Sequence, residues 1–363
     1  LGRNFDFYVG DAFAKDKIVA FINPDDGYSF MMVTWPGMIG ACSGMNVEGL
    51  TVTINASKSK IPLIAKTPIS IVTREILQYA SNLEEAIAIA KKRKVFVSES
   101  IMVGSAKDNK AILIEIAPDN LGIYEAPNGN QLICSNHFQS DVLKENGRNL
   151  NQIKNSHSQY RFKRTEELLD QNQKITPQIA VDILRNKDGI NDVPLGYGNE
   201  KALNHLLAHH GIVFKPAQRL VWVSASPYQL GEFVCYDLNT IFKNRNQNKE
   251  IVSLENEIMN IPADPFLKTV AYKNYEQFRV ENKKMDSILA NKTDLPSDNY
   301  IEYYQSLNPN YWVVYYKAGL YFYKKKKYDL AQNQFEKALS KEVSTLPEKE
   351  EISKYLKKIK RKR

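Results

Sequence analysis

The chain reads as an α+β protein whose last third is helical. Short β-branched and aromatic runs separated by turn residues fill positions 17–56. Pairs of helical segments then alternate with further strand runs as far as residue 237, and beyond residue 265 the pattern is helical to the end. Strands in runs, broken by helices in pairs, exclude a singly alternating parallel sheet.

The elements follow in order. Ile18–Ile22, Tyr28–Val33 and Leu50–Ile54 alternate apolar positions as strands do, and Asn23-Pro24-Asp25-Asp26-Gly27 and Pro36-Gly37 supply turns between them. Residues 70–80 carry apolar side chains at helical spacing, and Ser81-Asn82-Leu83-Glu84 is a capping box opening a second helix. Strand character returns at Val95–Val103, Ala111–Ile116, Leu121–Glu125 and Gln131–Cys134. Helices are predicted over 158–172 and over 177–186, the latter opened by Thr176-Pro177, with Gly189 as the stop. Three more strands fall at 211–215, 219–225 and 232–237. The polar stretch Lys243–Glu250 marks a linker, dividing the chain at about residue 245 into a first domain (1–245) and a helical extension (246–363). Within that extension Gly319, Phe322, Ala331, Phe335 and Ala338 follow the small/large spacing of one tetratricopeptide hairpin, which must pack on a neighbour to bury its face.

Composition narrows the function classes. With 43% hydrophobic and 25% charged residues, the chain of 363 residues is globular rather than disordered. No apolar run approaches the ~18 residues needed to cross a bilayer. The net charge of +8 is concentrated in Lys324–Lys327 and Lys357–Arg363. No aromatic–basic interleaving accompanies those runs, so no nucleic-acid partner is expected. Cys42, Cys134 and Cys235 are widely spaced and odd in number. They support neither a disulfide framework nor a zinc site, and compartment and oligomeric state stay open.

The chemistry-bearing segments are few. Gly2-Arg3-Asn4-Phe5-Asp6 puts a cation and a carboxylate three apart, beside a glycine. On spacing alone such a pair is an ordinary salt bridge. Gly44-Met45-Asn46-Val47-Glu48-Gly49-Leu50 leads into a strand that closes at Asn55. Here Gly44 and Gly49 supply turn geometry and Asn46 is a turn residue. Ser135-Asn136-His137-Phe138 follows an apolar run, and Tyr160-Arg161-Phe162-Lys163-Arg164 lies in the helix over 158–172. His209-His210-Gly211 and Leu220–Pro227 complete the series. A Cys–His pairing of Cys42 or Cys134 with His137 or His210 is an alternative, although nothing in the sequence sets a base beside either thiol.

In this order the segments resemble those of choloylglycine-hydrolase-like and penicillin-acyltransferase-like enzymes, the cysteine N-terminal-nucleophile amidases. The resemblance covers residues 1–238 and leaves the helical remainder outside it. It implies a four-layer αββα sandwich and attack on a linear amide through an acyl-thioester. The nucleophile would be a Cys ahead of Leu1 that serves as its own base through its α-amino group. That Cys would lie on a strand pairing beside the one containing Asn55 or the one ending at Asn136. Arg3 and Asp6 would then tune and orient it. Asn136 and Asn55 would meet the developing oxyanion, although Asn55 stands one residue closer to Gly49 than in bile-salt hydrolases, and Arg161 would join the network with Arg164 as the spare. No metal or organic cofactor is implied, and the partner is a small amide of the N-acyl amino acid, bile-salt or β-lactam type. The competing expectation is a catalytically silent relative that binds partners through its helical region.

Overall fold

Every side chain of the strand Phe30–Thr34 is buried, because the sheet that holds it is covered on both faces. The computed structural model describes residues 1–7, 15–58, 66–127, 129–207, 209–243 and 253–362. Seven antiparallel strands follow one another in the larger sheet: β2 (Ile18–Ile22), β3 (Phe30–Thr34), β4 (Ser43–Asn46), β5 (Leu50–Ala56), β6 (Glu99–Ser105), β7 (Lys110–Ile116) and β8 (Leu121–Tyr124). The smaller sheet has the order β1 (Gly2–Phe5), β9 (His210–Lys215), β10 (Leu220–Ser224) and β11 (Phe233–Asp237).

The period of two in each strand sorts the core into layers. Phe30 and Met32 pack with Val72, Ile76 and Leu77 of α1 (Ile69–Tyr79) and with Ala86 and Ile89 of α2 (Leu83–Lys92). Their neighbours Met31 and Val33 point the other way, onto Ile212, Phe214, Val221 and Val223 of the smaller sheet. On the far face of that sheet Val213 and Trp222 meet Val181 of α5 (Pro177–Leu184). Helix, sheet, sheet, helix is the four-layer order that the resemblance implied. Burying each Val- or Ile-sized side chain in these layers is worth about 1.5–3 kcal/mol, which makes a one-residue slip of any central strand prohibitive.

Several sequence expectations are corrected. Gln131–Cys134 is no strand: side chains meet its carbonyls, with Gln139 Nε2 on Ile133 O at 2.8 Å and Asn55 Nδ2 on Cys134 O at 3.4 Å. Gly44 lies within β4 rather than in a turn. A Cβ there would stand 2.5 Å from Met31 O, so the glycine serves close packing. The turn beyond it is made by Gly49, at φ +74°, and by Asn46, whose Oδ1 accepts from Glu48 N and Leu50 N. The cap of α2 falls one residue later than expected: Asn82 accepts from Glu85 N, and the Glu85 carboxylate accepts from Ser81 N. β1 and the polar helix α3 (Gly147–Asn155) had no periodicity strong enough to be read. The first residue of the expected linker, Lys243, ends a short helix, α6 (Leu238–Lys243), and residues 244–252, with the boundary at 245, lie outside the described residues.

Helices α7 (Val270–Asn291), α8 (Tyr300–Ser306), α9 (Trp312–Lys324), α10 (Tyr328–Leu339) and α11 (Leu346–Lys360) close the chain. Tyr275, Phe278 and Tyr304 share a core with Leu206 and Leu230, so this region packs on the strand-bearing part. α9 and α10 form a hairpin in which a Cβ at Gly319 would stand 2.7 Å from the Phe335 ring, and α11 adds a third helix against Ala331, Phe335 and Ala338.

Candidate active site

A cavity of about 1080 Å³ runs along β1 and its flanks, and residues Leu1 through Phe7 all border it. The opposite walls come from the end of β5, the segment 130–136 and α4 (Ser158–Asp170). All five residues singled out in the sequence line this one cavity: Arg3, Asp6, Asn55, Asn136 and Arg161.

β1 pairs with β9 through Gly2–Val213 and Arg3–Ile212, and this register fixes where Arg3 and Asp6 emerge. Asp6 Oδ2 takes hydrogen bonds from Arg161 Nη1 at 3.1 Å and from His205 Nε2 at 2.8 Å. Arg161 also donates through Nη2 to Asn136 Oδ1 and through Nε to His157 Nδ1 at 3.2 Å. A continuous chain therefore runs His205–Asp6–Arg161–Asn136 across residues up to 199 apart in sequence. Burial alone would favour a neutral Asp6. The Arg161 charge, the His205 hydrogen bond and charge, and Arg3 outweigh it and hold the carboxyl well below the usual range, so Asp6 is an anion.

Asn136 is held on both sides. Its backbone N–H donates to Ser158 Oγ at 2.8 Å, its Nδ2 donates to Ala56 O at 2.9 Å, and Ser135 Oγ donates to Ser158 O at 2.9 Å. Ser158, at the start of α4, thus anchors the whole 135–137 segment. It also engages His137 Nδ1 at 2.8 Å, and burial pushes that ring down to about 4. His137 is therefore a neutral packing residue, tilted against Phe162.

Arg3 is a buried cation whose two guanidinium hydrogen bonds go to neutral oxygens: Nη1 to Ser43 Oγ at 2.8 Å and Nη2 to Ile54 O at 2.5 Å. Its guanidinium lies 4.3 Å from the centre of the Phe5 ring, a cation–π contact. Burial lowers its pKa to about 10 against the opposing pull of Cys42, Asp6 and Glu99. Ser43 Oγ is in turn 3.2 Å from His210 Nε2. His210 is buried and held neutral by that burial, so Arg3 has a hydrogen-bonded backing two residues deep. Of the His209-His210 pair, read from sequence only as a fold marker, His210 is part of that support.

Asn55 stands with Nδ2 at 3.4 Å from Cys134 Sγ, while its Oδ1 is buried without a partner. Arg164, the spare of the helix motif, is buried and turned away from the cavity, pairing with Glu167 and with Asp192, whose side chain is 73% exposed.

Three further cavity residues escaped the sequence reading. His205 and His157 sit outside any recognisable motif, and only the fold brings them to Asp6 and Arg161. Glu99 opens β6 at the cavity wall, where burial raises its carboxyl to about 7 and Arg3 pulls the other way. Alternation along β6 could have marked Glu99, since a carboxylate at a strand end beside buried neighbours is uncommon.

Glu99 carries a stability prediction. Its folded pKa is raised, so between pH 4.5 and 7 the unfolded chain releases a proton that the folded chain keeps, and stability falls as pH rises through that window. Glu99→Gln is expected to remove a decline on the order of 2 kcal/mol between about pH 5 and 8. Thermal melts across that range check it, and parallel curves for the two proteins would refute the assignment. His157, lowered to about 3 by burial and then by Arg161, acts in the opposite sense below about pH 6 and is common to both proteins.

The three thiols differ in setting. Cys42 and Cys235 are buried, and Cys134 lies in the cavity wall. Burial pushes Cys42 up to about 11 and Cys134 up to about 12, and the contacts of Cys134 Sγ are with Asn55 and the Ser135 carbonyl. Among the described residues, no group of three or more His, Cys, Asp or Glu side chains is placed to hold a metal ion.

Comparison with known proteins adds the following. Residues 1–226 match the family described as acyl-coenzyme A:6-aminopenicillanic acid acyl-transferase. An uncharacterized protein of Archaeoglobus fulgidus is 25% identical over 128 residues, 34% of this chain and 21% of that protein. The match thus spans about a fifth of that relative's length. Among solved structures, the Caenorhabditis elegans ortholog of N-acylethanolamine-hydrolyzing acid amidase aligns with a TM-score of 0.43 at 17% identity, covering 60% of this chain and 87% of its own. Penicillin V acylase from Agrobacterium tumefaciens aligns with a TM-score of 0.42 at 14% identity, covering 66% and 82%. A variant of conjugated bile acid hydrolase from Clostridium perfringens aligns with a TM-score of 0.39 at 11% identity, covering 65% and 87%.

Proposed function

The chain belongs to the acyl-coenzyme A:6-aminopenicillanic acid acyl-transferase family, and from that premise we propose that it cleaves a linear amide or transfers its acyl group, using a cysteine thiolate. The observation that carries the proposal is the hydrogen-bonded chain His205–Asp6–Arg161–Asn136 beside the buried cation Arg3, all in one cavity. A site that breaks an amide needs a held nucleophile, charge stabilisation for the oxyanion and a means of orienting the base.

The nucleophile in this reading is a cysteine ahead of Leu1. β5 has both edges taken by β4 and β6, and 131–134 forms no ladder. In this reading the strand bearing that cysteine pairs along an edge that the described strands leave open, and β1, the edge strand of the smaller sheet that borders the cavity, is the one that suits it. Arg3 favours the thiolate over the thiol, and Asp6 accepts a hydrogen bond from the α-amine and orients it. The sulfur attacks the carbonyl carbon, and Asn55 and Asn136 donate to the oxyanion. The C–N bond then breaks, and the amine departs with the proton that the thiol surrendered. Water next attacks the thioester to give the acid, or a second amine attacks it to give a new amide, and the thiol is restored. The substrate class is an N-acyl amino acid, bile-salt or β-lactam amide.

Cys134 offers a competing nucleophile because it borders the same cavity. Its raised pKa and its lack of a hydrogen-bonded base among the described residues weigh against it. One experiment separates the two. In protein carrying the residues ahead of Leu1, Cys42, Cys134 and Cys235 are all replaced by Ala or Ser. Amide hydrolysis is followed as released amine with penicillin V, an N-acyl amino acid and a glycine-conjugated bile salt. The expected result is turnover within about threefold of the parent, abolished by iodoacetamide. Loss of turnover with the fold intact, or turnover indifferent to alkylation, would overturn the assignment.

A further inference from the structure

The two basic runs of the sequence meet in space. Lys362, just past α11, donates to Tyr328 Oη at 3.2 Å and lies 5.1 and 5.2 Å from the ring centres of Tyr323 and Tyr328. This joins the end of α11 to the α9–α10 turn, where Lys324, Lys325, Lys326 and Lys327 are all exposed. On α11 Lys354, Lys357 and Lys358, and Arg361 at its C-cap, are exposed as well, on the side opposite the buried Ile352 and Ile359. The acids among them are Asp294, engaged by Lys325 at 2.6 Å, Asp329 in the first turn of α10, and Glu350 and Glu351, exposed one turn before Lys354 on α11.

Part of this charge has a local purpose. Lys324 Nζ donates to Leu289 O at 2.6 Å, and cations in the last turn of α11 complement its dipole. Lys326 and Lys327 do not fit that account. Lys326 holds a left-handed φ of 59°, and Lys327 is the N-cap of α10 without a side-chain cap bond. Ser, Thr, Asp or Asn is favoured at an N-cap, and a cation opposes the positive end of the dipole there. A position that breaks two local preferences without a structural return points to use at the surface. Leu330, 48% exposed, projects one turn further along α10.

We propose that the α9–α10 turn and the end of α11 form a docking face for an anionic bilayer surface. The cations face solvent from one helix side and one turn, about 10 Å along α11, and suit a plane of headgroups. Leu330 enters the interface beside them. A nucleic acid is disfavoured because the aromatic faces are occupied: Lys362 covers Tyr323 and Tyr328, and Lys358 lies 5.2 Å from the centre of Tyr355. Each of these three rings already carries a lysine where a base would stack.

The test uses the full chain and vesicle flotation. Vesicles of phosphatidylcholine alone are compared with vesicles containing about 30 mol% phosphatidylglycerol, at about 0.1 and 0.5 M NaCl. Partition onto the anionic vesicles only, and its loss at high salt, is expected. Charge reversal by Lys326→Glu, Lys327→Glu, Lys358→Glu and Lys362→Glu together should weaken it at least about tenfold, while the corresponding Arg replacements keep it. Leu330→Ser should weaken it about two- to fivefold. Equal binding to neutral vesicles, no binding to anionic ones, or failure of the Arg protein to bind would overturn the proposal. So would tighter retention on an oligothymidylate at the same salt, which assigns the face to nucleic acid.

Discussion

Asp6→Asn is expected to lower turnover about 10²–10³-fold while the protein still folds. The replacement keeps shape and removes charge. Asp6 is the acceptor shared by Arg161 at 3.1 Å and His205 at 2.8 Å, and these partners hold its carboxyl ionised. An amide in its place accepts one of the two bonds and leaves Arg161, whose side chain is 12% exposed, without its counter-ion. Arg161 then loses the direction that sets Asn136. The stability cost is about 1–3 kcal/mol, since the buried cation keeps neutral partners in His157 and Asn136. The folded pKa of Asp6 lies below its unfolded value. Its contribution is therefore present above about pH 4 and lost as pH falls further, and the Asn protein should lack that part of the acid limb. Rates and melts from about pH 3 to 8 check both effects. A change in turnover of less than about threefold would separate Asp6 from the chemistry.

How much of this was legible without coordinates depends on the range of the interactions. Strands such as Leu50–Ile54 and Ala111–Ile116 announced themselves, because alternation and β-branching are properties of neighbours in sequence. β1 did not. Its residues Gly2-Arg3-Asn4-Phe5 have no alternation to read, and they are a strand because β9 lies alongside them more than 200 residues later. Gln131–Cys134 failed in the opposite sense: its apolar residues face a cavity instead of a neighbouring strand. Arg3, Asp6, Asn55, Asn136 and Arg161 could be named because each sits in a short segment with a family likeness. His205, His157, Glu99 and Ser43 could not, since each acts only through a contact that the fold creates.

Arg3 offers the second large effect, and it turns on how a buried cation is held. Its Nη1 and Nη2 reach Ser43 Oγ and Ile54 O in a planar fork, and the same plane lies over Phe5. Arg3→Lys keeps the charge but places one ammonium where the fork had two separated donors, so at least one acceptor goes unmet. We expect a loss of about 2–4 kcal/mol in stability and of about 10²-fold in turnover. Arg3→Met removes the charge and fills the space. It should recover part of the stability, because the desolvation of the cation disappears, yet it should be at least as inactive as the Lys protein. Ser43→Ala distinguishes support from charge: Arg3 remains, its anchor to Ser43 and His210 is cut, and turnover should fall about tenfold with a larger effect on kcat than on KM. Chemical denaturation and steady-state rates on the three proteins check this ordering. An active Arg3→Met protein would show that the cation is only structural, since packing at that position survives while the charge held between Ser43 and Ile54 is gone.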